Sequence, residues 1–168
     1  MPDAFARELV ALLPNLRRFA IALCRSRDIA DDLVQVTCEK ALAARASYAP
    51  GTRLDAWLFR IMRNAWIDRL RRLKTEGPQI DIADAHFLVG QDGVALSEAR
   101  ITLNETADAI AELPDDQREV LILVCVEELS YRETAAVLEI PVGTVMSRLA
   151  RARRKLIDQM GIEAPAKR

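Results

Sequence analysis

A chain of 168 residues, half of them apolar and few aromatic, suits one domain or two small ones and favours helix over sheet. Its formal net charge of −1 excludes a nonspecific coat for nucleic acid, and three scattered cysteines with one histidine, His86, exclude a disulfide framework or a zinc cluster. The near-neutral total hides segregation: from Met1 to Lys74 there are 14 bases against 8 acids, from Thr75 to Ala99 five acids and no lysine or arginine, and bases gather again after Thr144.

No apolar run approaches the ~20 residues that span a bilayer. The start, MPDAFARELV, lacks the basic end and apolar core of a signal peptide. The expectation is a cytoplasmic protein without membrane insertion and with reduced thiols. Residues 4 to 25 read as one amphipathic helix, or two broken near Pro14. Phe5, Leu9, Leu12, Leu13, Leu16, Phe19, Ala20 and Leu23 face inward and Arg17, Arg18 and Arg25 outward, a core-forming segment with no direct chemistry. From Asp28 to Ala44 a second pattern follows. Asp28 is its expected cap, and Leu33, Val36, Ala41 and Leu42 are its expected inner side. Asp32, Gln35 and Glu39 share an outer face, with Asp31 beside them. That acid-amide face is either simply solvated or meets a basic protein surface.

Ser47 to Thr52 is a loop marked by Pro50-Gly51. The next helix runs roughly from Arg53 to Lys74, with Trp57, Leu58, Ile61, Met62, Ala65, Trp66, Leu70 and Leu73 on one broad apolar side. Arg60, Arg63, Arg71 and Lys74 fall within a narrow arc opposite, bordered by Asn64 and Asp68. Such a stripe suits phosphates and base edges. The two tryptophans, on the apolar side, fit core packing better than base stacking. Thr75 to Ala99 is acidic, weakly periodic and glycine-bearing, and reads as a linker. A second helical set begins with Ile101, Leu103, Ala107, Ile110 and Leu113 inward. It restarts at Pro114, and Val120, Leu121, Leu123 and Val124 continue its core.

The most informative stretch is Ser130 to Leu156. Ser130 and Glu133 have the spacing of a capping box. Pro141 and Gly143 signal a break, and a second helix is expected from near Thr144. Its positions Val145, Leu149, Ala152 and Leu156 form one buried stripe. Ser147, Arg148, Arg151, Arg153, Arg154 and Lys155 carry the other side, with no acid between Thr144 and Lys155. This is the build of a helix-turn-helix whose second helix enters a major groove. A solvated basic face that merely favours the helix dipole is the plainer alternative.

The runs DDLVQVTCEKAL, LDAWLFRIMRNAWIDRLRR, LPDDQREVLIL and LSYRETAAVLEIPVGTVMSRLARARRKL, in that order over nearly the whole chain, resemble a bacterial sigma factor of the extracytoplasmic-function (ECF) group of the sigma-70 family. LRRFAIALC, ADDLVQ, YAPGT and LPDDQREVLILV are similar to the general-stress (EcfG-type) subgroup. The resemblance implies an all-α fold of two small helical domains joined by a flexible acidic linker. Residues 1–75 would be sigma region 2, 76–99 the linker, 100–160 sigma region 4, and 161–168 a loose tail. It implies that Asp31, Asp32, Gln35 and Glu39 grip the β′ clamp helices of core RNA polymerase, and that region 4 meets the β flap. The loop Ser47 to Arg53 and the helix bearing Arg60, Arg63, Asn64, Asp68 and Arg71 would open the −10 element, with Asp68 testing a base edge. Ser147, Ala150 and Arg151 would face −35 bases with Met146 beside them, while Thr144, Arg148, Arg153 and Arg154 meet phosphates. Met146 stands where lysine or arginine is usual in the family, which leaves one contact fewer. The linker would either mimic nucleic acid in the polymerase channels or serve as a soluble tether.

The implied function is transcription initiation: binding core polymerase, recognising promoter DNA and assisting melting. An anti-sigma factor, NepR-like if the subgroup holds, would restrain it in a stress response. The rival reading is a helix-turn-helix regulator that never joins core polymerase. An enzyme is not expected, since no nucleophile-base-orienter set and no phosphate-cradling glycine loop is present, and no cofactor is expected either.

Overall fold

The computed structural model describes residues 3–76 and 98–161, of residues 98–104 the backbone alone. The expectations for the acidic linker, for the side chains of Ile101 and Leu103 and for the tail fall on residues outside this description. Eight α-helices form among the described residues, and no strand.

Helix α1 (Ala4–Ala11) is capped by Asp3, whose carboxylate accepts from the Ala6 N–H at 2.8 Å. The chain breaks at Leu12, and Pro14 falls in the first turn of α2 (Leu13–Cys24), where its missing N–H would have had no partner anyway. Helix α2 ends on Arg25 in the left-handed conformation. Ser26, not Asp28, caps α3 (Arg27–Ala43). It has the extended backbone a cap needs, while Asp28 already lies in the first helical turn and adds only a favourable charge there. The buried stripe of α3 is Ala30, Leu33, Thr37 and Ala41; Val36 and Leu42, expected inside, are exposed. Thr37 joins the stripe because its hydroxyl donates to the Leu33 carbonyl at 2.7 Å and so is not left unpaired.

Helix α4 (Leu54–Glu76) is the longest at 23 residues. Leu58, Phe59, Met62 and Ala65 pack on Leu16, Phe19 and Leu23 of α2, and Phe59 meets Phe19 edge-on at 5.1 Å. Trp66 is buried, and Trp57 lies half-buried against Phe5 and Tyr48, so both tryptophans pack rather than face solvent.

The second set comprises α5 (Glu98–Ala111), α6 (Asp115–Leu121), α7 (Tyr131–Leu138) and α8 (Val142–Met160). Leu113, Val120, Leu123, Val137, Leu138, Val145, Leu149 and Ala152 fill its interior. After α6 the backbone widens into one π turn, Ile122–Val126, closed by the Glu127 N–H on the Ile122 carbonyl at 2.9 Å. The capping box at α7 forms as its spacing indicates. The Glu133 N–H donates to Ser130 Oγ at 3.1 Å, and the Ser130 N–H donates to Glu133 Oε2 at 2.7 Å. The turn into α8 is different from the one expected. Glu139 takes the left-handed conformation and reverses the chain, so α8 starts at Val142, and Gly143 lies inside its first turn.

The two sets pack against each other, α6 on α2 and α7 on α4, and their interiors merge into one apolar cluster. No described helix is long and apolar enough to cross a membrane.

Candidate nucleic-acid and protein interfaces

Helix α8 presents its basic side outward because its apolar stripe is consumed by α6 and α7. Val145, Leu149 and Ala152 are buried and Leu156 half-buried, which turns Met146, Ala150, Arg151, Arg153 and Arg154 to the surface. Arg151 and Arg154 make no hydrogen bond or ion pair among the described residues. Arg153 reaches only Cys125 Sγ at 3.9 Å, and Arg148 pairs with Asp116 of α6 at 3.5 Å. Ser147 is half-buried with its hydroxyl donating to the Thr144 carbonyl at 3.1 Å, and Thr144 is half-buried too. Val142 and Met146 leave an apolar patch at the start of the helix. The arrangement offers a row of unneutralised guanidinium groups behind a short apolar tip, which suits a polyanion with groove-exposed methyl groups.

The outer face of α4 is less uniform. Arg60, Asn64, Asp68 and Arg71 follow one another at spacings of four, four and three and are all exposed. Arg63 is half-buried, and its Nε donates to Glu119 of α6 at 3.3 Å. Arg60 Nη2 donates to Glu139 at 3.2 Å. At the head of the helix Arg53 pairs with Asp55 at 2.6 Å and with Glu133 at 3.1 Å, and it also donates to the Glu128 carbonyl at 3.1 Å. Three arginines of this surface are therefore neutralised by carboxylates of the second set. A cleft of ≈ 550 Å³ opens between the start of α1 and the loop that leads into α4, lined by Asp3, Phe5, Arg45, Tyr48 and Pro50 and by no residue of α4 itself. Arg45 is held there by Asp3 and by the ring of Phe5, 5.4 Å away.

On α3, Asp31, Asp32, Gln35 and Glu39 are all exposed. Gln35 Nε2 donates to Glu39 at 3.2 Å, and Asp31 pairs with Arg17 at 3.0 Å. Val36, 36% exposed, borders this acid-amide face on the side of Leu33.

Residues without a role in the sequence reading tie the two sets of helices together. Arg118 has no solvent contact; its Nε donates to the Ala22 carbonyl at 2.6 Å and its Nη1 to the Leu113 carbonyl at 2.7 Å, while Nη2 meets Asp115. Arg25 donates to the carbonyls of Ala111 and Leu113, the latter at 3.1 Å. The side chain of Glu127, without solvent contact at the end of the π turn, accepts from Arg18 Nε at 2.9 Å and Asn15 Nδ2 at 2.8 Å. Burial pushes the carboxyl of Glu119 above the usual carboxylate range, with Arg63 pulling part of the way back. The one visible sign in the sequence was a charged pair, Arg118-Glu119, abutting the apolar run Val120–Val124.

Among the described residues no group of three or more His, Cys, Asp or Glu side chains is placed to hold a metal ion. Burial raises the pKa of both the Cys24 and Cys38 thiols, so neither is an activated nucleophile.

Two family models match the chain, Sigma-70 region 2 over residues 9–76 and Sigma-70, region 4 over residues 103–156. The ECF RNA polymerase sigma factor EcfG of Rhodopseudomonas palustris (strain TIE-1) is 42% identical over 93% of this chain and 84% of its own length. The ECF RNA polymerase sigma factor SigM of Bacillus subtilis (strain 168) is 33% identical over 84% of this chain and 86% of its own length. Among solved structures, the sigma factor RpoE in complex with the anti-sigma factor NepR from Bartonella quintana superposes with a TM-score of 0.75 at 36% identity, covering 95% of this chain and 98% of that one.

Proposed function

The chain belongs to the ECF group of sigma-70 sigma factors, non-enzymatic factors of transcription initiation, and we propose how its surfaces divide that work. Helix α8 reads the −35 element. Arg151, Ser147 and Ala150 face base edges with Met146 beside them, and Thr144, Arg148, Arg153 and Arg154 meet phosphates. Arg151 is suited to guanine, whose O6 and N7 match its fork. Arg60, Arg63, Asn64, Asp68 and Arg71 of α4 engage the −10 element. The arginines follow the backbone of the melted strand, Asp68 tests a base edge, and the neighbouring cleft at Tyr48–Thr52 has room for an extruded base. Extrusion costs a few kcal/mol per base, which the cleft and the polymerase together offset.

Asp31, Asp32, Gln35 and Glu39 dock on the β′ clamp helices, with Val36 as an apolar border of the contact, and the second domain meets the β flap. A NepR-like helical anti-sigma factor restrains the protein in a stress response. The support is the likeness to a sigma factor solved with NepR and to EcfG. A cytoplasmic location accords with this work.

The single observation that carries the DNA assignment is the acid-free face of α8, with Arg151 and Arg154 exposed and unpaired among the described residues, within a capped helix-turn-helix. Run-off transcription with core polymerase on genomic fragments tests the whole. Discrete start sites that vanish in R151A/R154A and in R60A/R63A are expected. A protein that binds duplex DNA but never co-purifies with core polymerase would instead be a regulator acting alone.

A further inference from the structure

Helix α8 carries one surface feature that neither core packing nor phosphate binding uses. Val142, Met146 and Ala150 follow one another at steps of four and are all exposed, Met146 at 52%, so they form an apolar ridge along the helix. The next step of four is Arg154, unpaired among the described residues. A single exposed apolar side chain needs no explanation. A line of three, on the same turns as the arginines that would hold the helix to a duplex, does. Gly143 lies three residues before Met146 and leaves the ridge open to approach. Its backbone is not left-handed and a Cβ there would meet nothing within 4 Å, so neither the turn nor packing inside the chain calls for glycine. Glycine weakens a helix; what it offers in return is close approach of the backbone to an outside partner.

The start of a recognition helix meets base edges in the major groove. Those edges offer hydrogen-bond donors and acceptors at every base pair and one apolar feature, the 5-methyl group of thymine. Methionine is poorly equipped for the former, since its thioether is only a weak acceptor. It suits the latter, being unbranched, flexible and polarizable. Over a cytosine edge it would cover a polar amino group without replacing the water it displaces.

We propose that Met146, flanked by Val142 and Ala150, determines the base at one −35 position by packing on the 5-methyl group of a pyrimidine. The proposal rests on the assignment of α8 to the −35 element and deepens it: Arg151 selects by hydrogen bond, Met146 by the presence of a methyl group. 5-Methylcytosine carries the same group, so cytosine methylation at that position converts a disfavoured base pair into an accepted one.

The test uses holoenzyme assembled from the full-length chain and core polymerase, on promoter fragments mapped by run-off transcription. Each −35 thymine, on either strand, is replaced in turn by deoxyuridine, which keeps every hydrogen bond and removes only the methyl group. In wild type one replacement should weaken binding about fourfold, the worth of one buried methyl. M146Q, a polar change of similar length at an exposed position, should abolish that loss, and M146L should keep it. At the same position wild type should bind 5-methylcytosine about fourfold more tightly than cytosine, whereas M146Q should bind the two alike. A −35 element without thymine, no deoxyuridine position that weakens wild type, or a loss that M146Q retains would overturn the role of Met146. R151A would still relax −35 discrimination in that case and keep α8 on the element. If R151A and R154A also left binding and start sites unchanged, the assignment of α8 itself would fall.

Discussion

A guanidinium without solvent contact needs acceptors in every direction, and Arg118 finds most of them in backbone carbonyls, Ala22 in the last turn of α2, Ala111 at the end of α5 and Leu113 in the turn that follows it. The carbonyls of Ala22 and Ala111 are ones a helix terminus leaves without an internal partner. One side chain thus completes two helix ends and joins the halves of the molecule. Lysine cannot reproduce the fork. R118K should therefore lower the unfolding free energy by about 1–3 kcal/mol for each carbonyl left without a donor, read from urea denaturation with an unchanged slope. Glu119, its neighbour, behaves in the opposite sense. Burial holds its carboxyl above the ordinary range, so the folded chain binds this proton more tightly than the unfolded chain does. The sign follows: ionised Glu119 costs stability above its folded pKa, and the cost fades as pH falls through that value toward the ordinary glutamate range. E119Q should melt no lower than wild type at neutral pH, and its advantage should shrink on acidification; calorimetry across that range checks it. A variant that melts well below wild type at pH 7 would mean that the Arg63 pair outweighs burial.

At the level of helices, the legible parts were those written in neighbouring residues. The capping box of α7 involves only Ser130 to Glu133, and S130A should cost about 0.5–2 kcal/mol in thermal unfolding while weakening −35 duplex binding without altering its sequence preference. The break before Pro14, the stripe Val145-Leu149-Ala152 and most of the apolar side of α4 were equally local, although Leu73 of that side is exposed and Phe59, left out of it, is fully buried. Reading apolarity alone misplaced Val36 and Leu42 in α3. The spacing of the inner face runs through Thr37, which repairs its own polarity by bonding to Leu33. The start of α8 was read two residues late because the reversal falls on Glu139, a residue type with no marked preference for the left-handed region, rather than on Gly143. Within the candidate site, α8 separates two kinds of contact that one binding series can resolve. R151A should relax discrimination at one −35 position by about 1–3 kcal/mol. R154A should weaken all sequences alike and flatten the salt dependence by about one unit of slope.

The packing of one half on the other was not legible at all. Its bonds join residues such as Arg118 and Ala22, 96 positions apart, and involve carbonyls that leave no trace in side-chain type. That packing makes a prediction for the whole molecule, because it decides which arginines are free to release counterions from DNA. Arg151 and Arg154 of α8 and Arg71 of α4 are exposed and unpaired among the described residues, whereas Arg60 and Arg63 are paired with Glu139 and Glu119. Arg153 and Arg154 as phosphate contacts give a logarithmic salt slope of about −2 on a −35 duplex, at about −0.9 per phosphate, and Arg148 adds to it only by leaving Asp116. A template that adds a single-stranded −10 segment should steepen the slope of free wild type by about 0.7, the contact of Arg71 alone. In E127Q/E139Q, which lacks two of the carboxylates that join the two sets, Arg60 and Arg63 would join and steepen it by about 1.4 more, single-strand contacts counting about 0.7 each. Anisotropy titrations between low and physiological salt measure both slopes. Added salt also loosens the exposed Arg60–Glu139 pair far more than the buried Glu127 contact. The wild-type curve on the longer template should therefore stay straight rather than bend as the exposed pair loosens. A wild-type slope already as steep as the variant's would place Arg60 and Arg63 on the DNA from the outset, in spite of their carboxylate partners.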